Sequence, residues 1–168
     1  MLALVVALAA ALLLVVRAPV RKTGWYALRG HRVFGVGRGA VRGIEVAFGE
    51  RRFVARRTEQ GWEIDGSAAG RGVAEALDGL LETLVHLRAV DVFRNRDTSA
   101  FGLARPRATI DLVTARGARR LVIGETNLAG SALYARRVGD PRVLQVGTLL
   151  LSDLERVFYF RDGPMQDP

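Results

Sequence analysis

The chain has 168 residues, 49% of them hydrophobic, with 25 basic residues against 17 acidic ones and a formal charge of +8. That length accommodates one membrane segment and one folded domain, and two full domains exceed it. With no cysteine, disulfides, thiolate metal sites, cysteine nucleophiles and a lipid-bearing N-terminal cysteine are all excluded.

Leu2 to Val16 is an unbroken apolar run closed by Arg17, with Arg21 and Lys22 just behind. At about 1.5 Å per residue it is short for a hydrocarbon layer of about 30 Å, but an untilted helix with snorkelling flanks spans it. Cleavage as a signal peptide is disfavoured by Pro19 and by the missing basic stretch ahead of the run. Residues 1–17 are therefore read as an uncleaved anchor, 18–30 as a basic linker, 31–162 as a single domain and 163–168 as a tail. Trp25 and Tyr26 in the linker suit the headgroup level of a bilayer. The basic residues after the run favour a cytoplasmic domain by the positive-inside rule.

From His31 onward the pattern is one of short strands: 31–36, 41–48, 52–57 and 61–64, turning at Gly37 to Gly39 and at Gly49-Glu50. The clearest alternation sets Ile44, Val46 and Phe48 against Glu45 and Ala47. Gly35-Val36-Gly37-Arg38-Gly39 has the composition of a phosphate-cradling loop, yet a strand follows it where such a loop requires a helix. A helix is predicted over 69–87, because Val73, Leu77, Leu80, Leu81, Leu84 and Val85 make one stripe of 3.6-residue period. Ser67 is its expected N-cap, while Arg71, Glu75, Asp78 and Glu82 lie off the stripe, toward solvent.

Residues 88–94 form a further strand, which leads to Phe101-Gly102-Leu103-Ala104-Arg105-Pro106. Gly102 permits backbone angles closed to other residues, and Pro106 holds Arg105 extended, so the chain turns and leaves straight. Phe101 and Leu103 pin that turn by burial. A hairpin follows, with Ala108, Ile110 and Leu112 alternating before Arg116-Gly117 and Leu121 to Gly124 returning. Two more strands, 133–138 and 143–146, lead to a short helix opened by Thr148 and ending near Val157. Phe158 to Asp162 reads as an aromatic tail that docks. The fold class is α+β, with two antiparallel meanders each followed by a helix and joined at Phe101 to Pro106, after an N-terminal membrane helix.

Little in the chain points to catalysis. His31 and His86 are far apart and fit no metal spacing. Ser67, Ser99, Ser131 and Ser152 lack a nucleophile-elbow context. Asp91, Asp97 and Asp111 mark no acid/base pair. Nor do the 24 arginines and Lys22 form a basic helical stripe, being scattered as singles and pairs such as Arg51-Arg52 and Arg119-Arg120. Nucleic acid is not an expected partner, and neither an enzyme nor a cofactor is expected. The leading expectation is an interaction module working through its strand edges and the joint, with Phe101, Gly102, Leu103, Arg105, Pro106 and Arg107 as candidate contact residues. Leu2, Val16, Trp25 and Tyr26 are the candidate anchor residues. An arginine-based binding domain for an anionic envelope polymer or lipid is the alternative.

The assembled pattern resembles the bacterial family known as domain of unknown function 4340. The resemblance rests on the apolar N-terminal run, Gly61-Trp62-Glu63-Ile64 after strands, the leucine-rich helix, and Phe101-Gly102-Leu103 with Pro106 three residues on. Leu121-Val122-Ile123-Gly124-Glu125, Gly130 to Tyr134 and Arg161-Asp162 extend it over about residues 41–162. Asp65-Gly66-Ser67 stands where such proteins carry a proline-containing segment. The resemblance implies a single-pass accessory protein of the cytoplasmic membrane, with an extracytoplasmic domain. It also implies association with ABC-type transporter components of the kind linked to gliding motility, and no catalysis or cofactor.

Overall fold

The computed structural model describes residues 30–94 and 99–163. The predicted anchor Leu2 to Val16, the interface aromatics Trp25 and Tyr26, Asp97 and residues 164–168 lie outside that range. Among the described residues no helix is long and apolar enough to cross a membrane.

Alternation sets the first strand, β1 (Val41–Phe48): Ile44, Val46 and Phe48 are buried while Glu45 and Ala47 are exposed. Successive strand side chains point to opposite faces, so such a pattern covers one face only. β2 (Arg51–Thr58), β3 (Gly61–Ile64) and the two-residue β4 (Ser67–Ala68) complete the first meander. The β3–β4 turn is made by Asp65 at φ 50° and Gly66 at φ 84°, the left-handed pair that a two-residue hairpin demands. Ser67 is consequently a strand residue paired with Ile64, and the helix behind it is opened by Gly70 without a side-chain cap.

That helix, α1 (Arg71–His86), buries the predicted stripe from Val73 to Val85. β5 (Ala89–Arg94) follows, then a single 3-10 turn at Ser99–Phe101. The second meander comprises β6 (Ala108–Thr114), β7 (Gly117–Thr126), β8 (Ala132–Arg137) and β9 (Arg142–Gly147), and α2 (Leu149–Asp162) closes the order. Phe158, Tyr159 and Phe160 are part of α2 rather than a tail beyond it. Phe158 lies fully buried, its ring 5.3 Å from that of Phe53 and 6.2 Å from that of Phe48. Burying such a ring contributes about 1.5–3 kcal/mol, enough to carry the helix past Val157.

The two meanders form one sheet rather than two. The strand order is β4-β3-β2-β1-β6-β7-β8-β9-β5, with antiparallel pairings, and β1 is hydrogen-bonded to β6 from Val41↔Thr114 to Phe48↔Ala108. Both helices cover one face, where the main core joins Leu77, Leu80, Leu81, Leu84, Leu150, Leu154 and Val157 to inward residues of β1, β2 and β6 to β9. The segment predicted as a strand over 31–36 makes only a bridge between Arg32 and Arg88. Gly35 at φ 61° breaks its extension, while Val33 and Phe34 drop into the main core.

Candidate functional site

On the sheet face away from the helices, residues 99–107 between β5 and β6 act as a strap. β5 stands at the far edge and β6 in the middle, so the connection must cross β9, β8 and β7. It does so by burying Leu103 against Val122 and Val143, flanked by Phe93, Phe101 and Tyr134. These positions of β7, β9 and β8 alternate outward, away from the helices, where a second layer can reach them. The Phe101 ring sits 4.7 Å from Tyr134 and 5.4 Å from Phe93, within the range where tilted aromatic pairs gain more than area alone.

Gly102 turns the strap at φ 70° and donates its amide to the Ser99 carbonyl at 3.1 Å. Beyond Leu103 the chain is pinned by two backbone bonds at Arg107. The Arg107 amide donates to the Ile123 carbonyl at 2.9 Å, and the Arg107 carbonyl accepts from the Gly49 amide at 3.1 Å. Arg107 thereby continues both the β6–β7 and the β1–β6 ladders. Of the six candidate contact residues, Phe101 and Gly102 are half-buried, Leu103 is buried, and Arg105, Pro106 and Arg107 are exposed. The sequence placed them together; the structure divides them into an inner set that packs and an outer set that faces solvent.

Arg107 of the outer set shares the Phe48 ring with Arg51, which in turn shares the Phe158 ring with Arg161. The Arg107 guanidinium lies 5.8 Å from the Phe48 ring centre and that of Arg51 5.5 Å from it. Arg51 also lies 4.5 Å from the Phe158 ring, and Arg161 lies 5.0 Å from it. Stacking on ring faces keeps the Arg51 and Arg107 guanidinium groups in place without neutralising them, whereas Arg161 is ion-paired with Asp65 and Asp162. Arg161 is held further by Asp65 at 3.2 Å and by the Arg52 carbonyl, which ties the end of α2 to the β3–β4 turn.

Several side chains matter in ways that alternation and spacing do not reveal. Asp78, expected simply to face solvent, accepts from the Trp62 indole Nε1 at 3.2 Å and from Arg38 at 2.7 Å. Asp111, buried on the strap face, takes a forked pair of bonds from Arg120, the shortest 2.6 Å. Asp140 in the β8–β9 turn is held by Arg142 at 2.7 Å and 2.9 Å and by Arg137 at 3.3 Å. The Arg142 guanidinium keeps the Asp140 carboxyl well below the usual carboxylate range, against the opposing effect of its burial. Only Asp140 and Arg142, two residues apart, offered a sequence signal for their pairing.

Asp91 accepts the neighbouring Val92 amide at the β5 edge while Asp111 lies in the centre of the sheet, so these two carboxylates do not meet. His86 is exposed, as expected, beside Glu82 on its own helix. Among the described residues there is no group of three or more metal-ligating side chains.

No curated protein and no solved structure matches the chain. A family model does, and its range begins at Trp62 and ends at Asp162, taking in α1, the strap, the second meander and α2 but neither β1 nor β2. Trp62 at its start, the strap turn, the Gly124 strand beneath it and Arg161-Asp162 at its end all fall within that range. The chain belongs to the family described as domain of unknown function DUF4340, matched over residues 62–162.

Proposed function

We propose that the chain is a non-catalytic interaction module, tethered to the cytoplasmic membrane by Leu2 to Val16, that assists an ABC-type transporter assembly from the outer side. The observation that carries this reading is the division of the strap. Its inner residues are consumed by packing, while Arg105, Pro106 and Arg107 stand exposed, the Arg107 backbone being fixed by two ladder hydrogen bonds. A rigid, preorganised display of exposed arginine and proline loses little ordering entropy on binding.

The sheet edges favour this reading less. β4 is two residues long, the outer side of β5 is met by residues 31–33 at its start, and a bulge at Ala89/Asp91 interrupts the ladder of β5 with β9. The Val92 amide is taken by its own neighbour, Asp91. Such devices blunt an edge against added strands.

The test is crosslinking in the native host, mild-detergent purification and mass spectrometry of the wild type and of Arg105→Glu/Arg107→Glu. The expected result is recovery of transporter subunits with the wild type and their loss from a variant that melts at the wild-type temperature. Recovery of the protein alone, or equal recovery with the variant, overturns the reading.

A further inference from the structure

A second concentration of arginines lies at the other end of β6, where the glycine-rich loop meets the β6–β7 turn. Gly37, Gly39, Arg42, Thr114, Arg116 and Arg119 are among the residues lining an open cleft of about 380 Å³. Its lining includes no carboxylate. Among the described residues Arg42 and Arg116 have no ion-pair partner, and both are exposed. Arg119 is anchored differently: its Nη1 donates to the Phe34 carbonyl at 2.6 Å. A neutral acceptor fixes the guanidinium without cancelling its charge, and its remaining donors stay available.

The adjoining cleft shows the contrast. It shares Arg119, but its Arg120 and Arg137 are engaged by Asp111 and Asp140. Of these two clefts, the one beside the glycine loop is the one whose arginines have no ion-pair partner among the described residues.

The loop itself carries more glycine than its backbone requires. Gly35 needs its identity, at φ 61°. Gly37 has an ordinary extended φ of −86°, and a Cβ built on either Gly37 or Gly39 would meet no protein atom within 4 Å. The fold has room for side chains there, so the bare backbone leaves space for a group that comes from outside the chain.

We propose that this cleft binds a phosphate group, gripped by Arg42, Arg116 and Arg119 over the bare backbone of Gly37 and Gly39. Three arginines lining one cleft with no acid among them suit a multiply charged tetrahedral anion better than a single carboxylate. The assignment does not rest on the partner reading above. The same chemistry is offered by a free phosphate compound and by a phospholipid headgroup.

The experiment is calorimetric titration of the full chain in a non-ionic detergent with two probes, inorganic pyrophosphate and phosphatidylglycerol, with phosphatidylcholine for comparison. Saturable binding of pyrophosphate supports a free phosphate ligand. Binding of phosphatidylglycerol without pyrophosphate supports a headgroup. In either case Arg42→Gln and Arg116→Gln should each weaken binding about tenfold, the loss expected for one charge-assisted contact. Neither side chain has an ion-pair partner among the described residues, so both variants should melt like the wild type. Arg156→Gln, exposed on α2 and lining neither cleft, removes the same charge and should bind as the wild type does. No binding of either probe, or equal weakening by Arg156→Gln, overturns the site.

Discussion

Gly102 and Gly124 are the two halves of one close contact between strap and sheet. A Cβ on Gly124 would lie 2.0 Å from the Phe101 carbonyl oxygen, and one on Gly102 would lie 2.8 Å from the Glu125 amide nitrogen. Both obstacles are backbone, so no rotamer change relieves them. The strap can lie flat on β7 only while both positions stay bare.

Gly124→Ala should therefore lift the strap and destabilise the domain by about 2–4 kcal/mol, in the range of strained overpacking. Gly102→Ala adds a left-handed φ of 70° to its own clash and should fall in the same range. Gly139→Ala, also left-handed but with nothing within 4 Å of its Cβ, separates the two effects and should cost about 1 kcal/mol. Urea unfolding of the three variants checks the ranking. A Gly124→Ala protein as stable as the wild type would show that the strap is not held down.

The Asp111–Arg120 pair should respond unequally to loss of either partner. Asp111 is 7% exposed and Arg120 lies on top of it across neighbouring strands. Arg120→Gln leaves a buried carboxylate without its forked donor, at a cost of about 2–3 kcal/mol. Replacing both together, as Asp111→Val with Arg120→Leu, should recover most of that loss. A double-mutant cycle by denaturant unfolding gives the coupling, and strict additivity would dismiss the pair.

Asp140 supplies a pH dependence with a definite sign. Its carboxyl is held below the ordinary range, chiefly by the Arg142 hydrogen bond, so the unfolded chain binds the proton first as pH falls. The stabilisation is complete above about pH 5 and declines as pH drops below the unfolded carboxylate value of about 3.9. The stability gap between the wild type and Asp140→Asn should thus be widest at pH 7 and narrow at pH 3. A gap that stays constant would assign Asp140 to packing.

Asp78 joins β3 to α1 by accepting from the buried Trp62 indole. Asp78→Ala should cost about 1–2 kcal/mol, whereas Asp78→Asn keeps an acceptor and should cost less. In a Trp25→Phe background, Trp62 fluorescence should shift to longer wavelength in Asp78→Ala. An unshifted spectrum would place the indole independently of Asp78.

The elements with a strong period were legible from sequence. β1 and β3 have the bounds expected from alternation, and α1 runs within the predicted 69–87. What failed did so where tertiary contacts decided. Ser67 has the chemistry of a cap, yet Asp65-Gly66 makes a hairpin that places it in a strand. Phe158 to Phe160 looked like a tail because their helical continuation depends on Phe48 and Phe53, more than a hundred residues earlier. The joint was visible from Gly102 and Pro106. Its seat on Gly124 was not, since a glycine inside a strand does not say what approaches it. The arginine cleft was hidden for another reason: Arg42 is far in sequence from Arg116 and Arg119 and lines one cleft with them only because β1 pairs with β6.

That same pairing bears on how the protein can be cut. The matched family range opens at Trp62, but β3 touches the remainder of the sheet only through β2 and β1. A fragment excised at residue 62 would keep both helices and the strap while losing the two strands that bridge its first hairpin to β6. Ile44, Val46 and Phe53 would leave a gap beneath Phe158 and the helices, and β6 would become a raw border. The smallest autonomous unit therefore starts before Val41, upstream of the recognisable family signature, and a limited protease should spare the junction at Trp62 rather than cleave there.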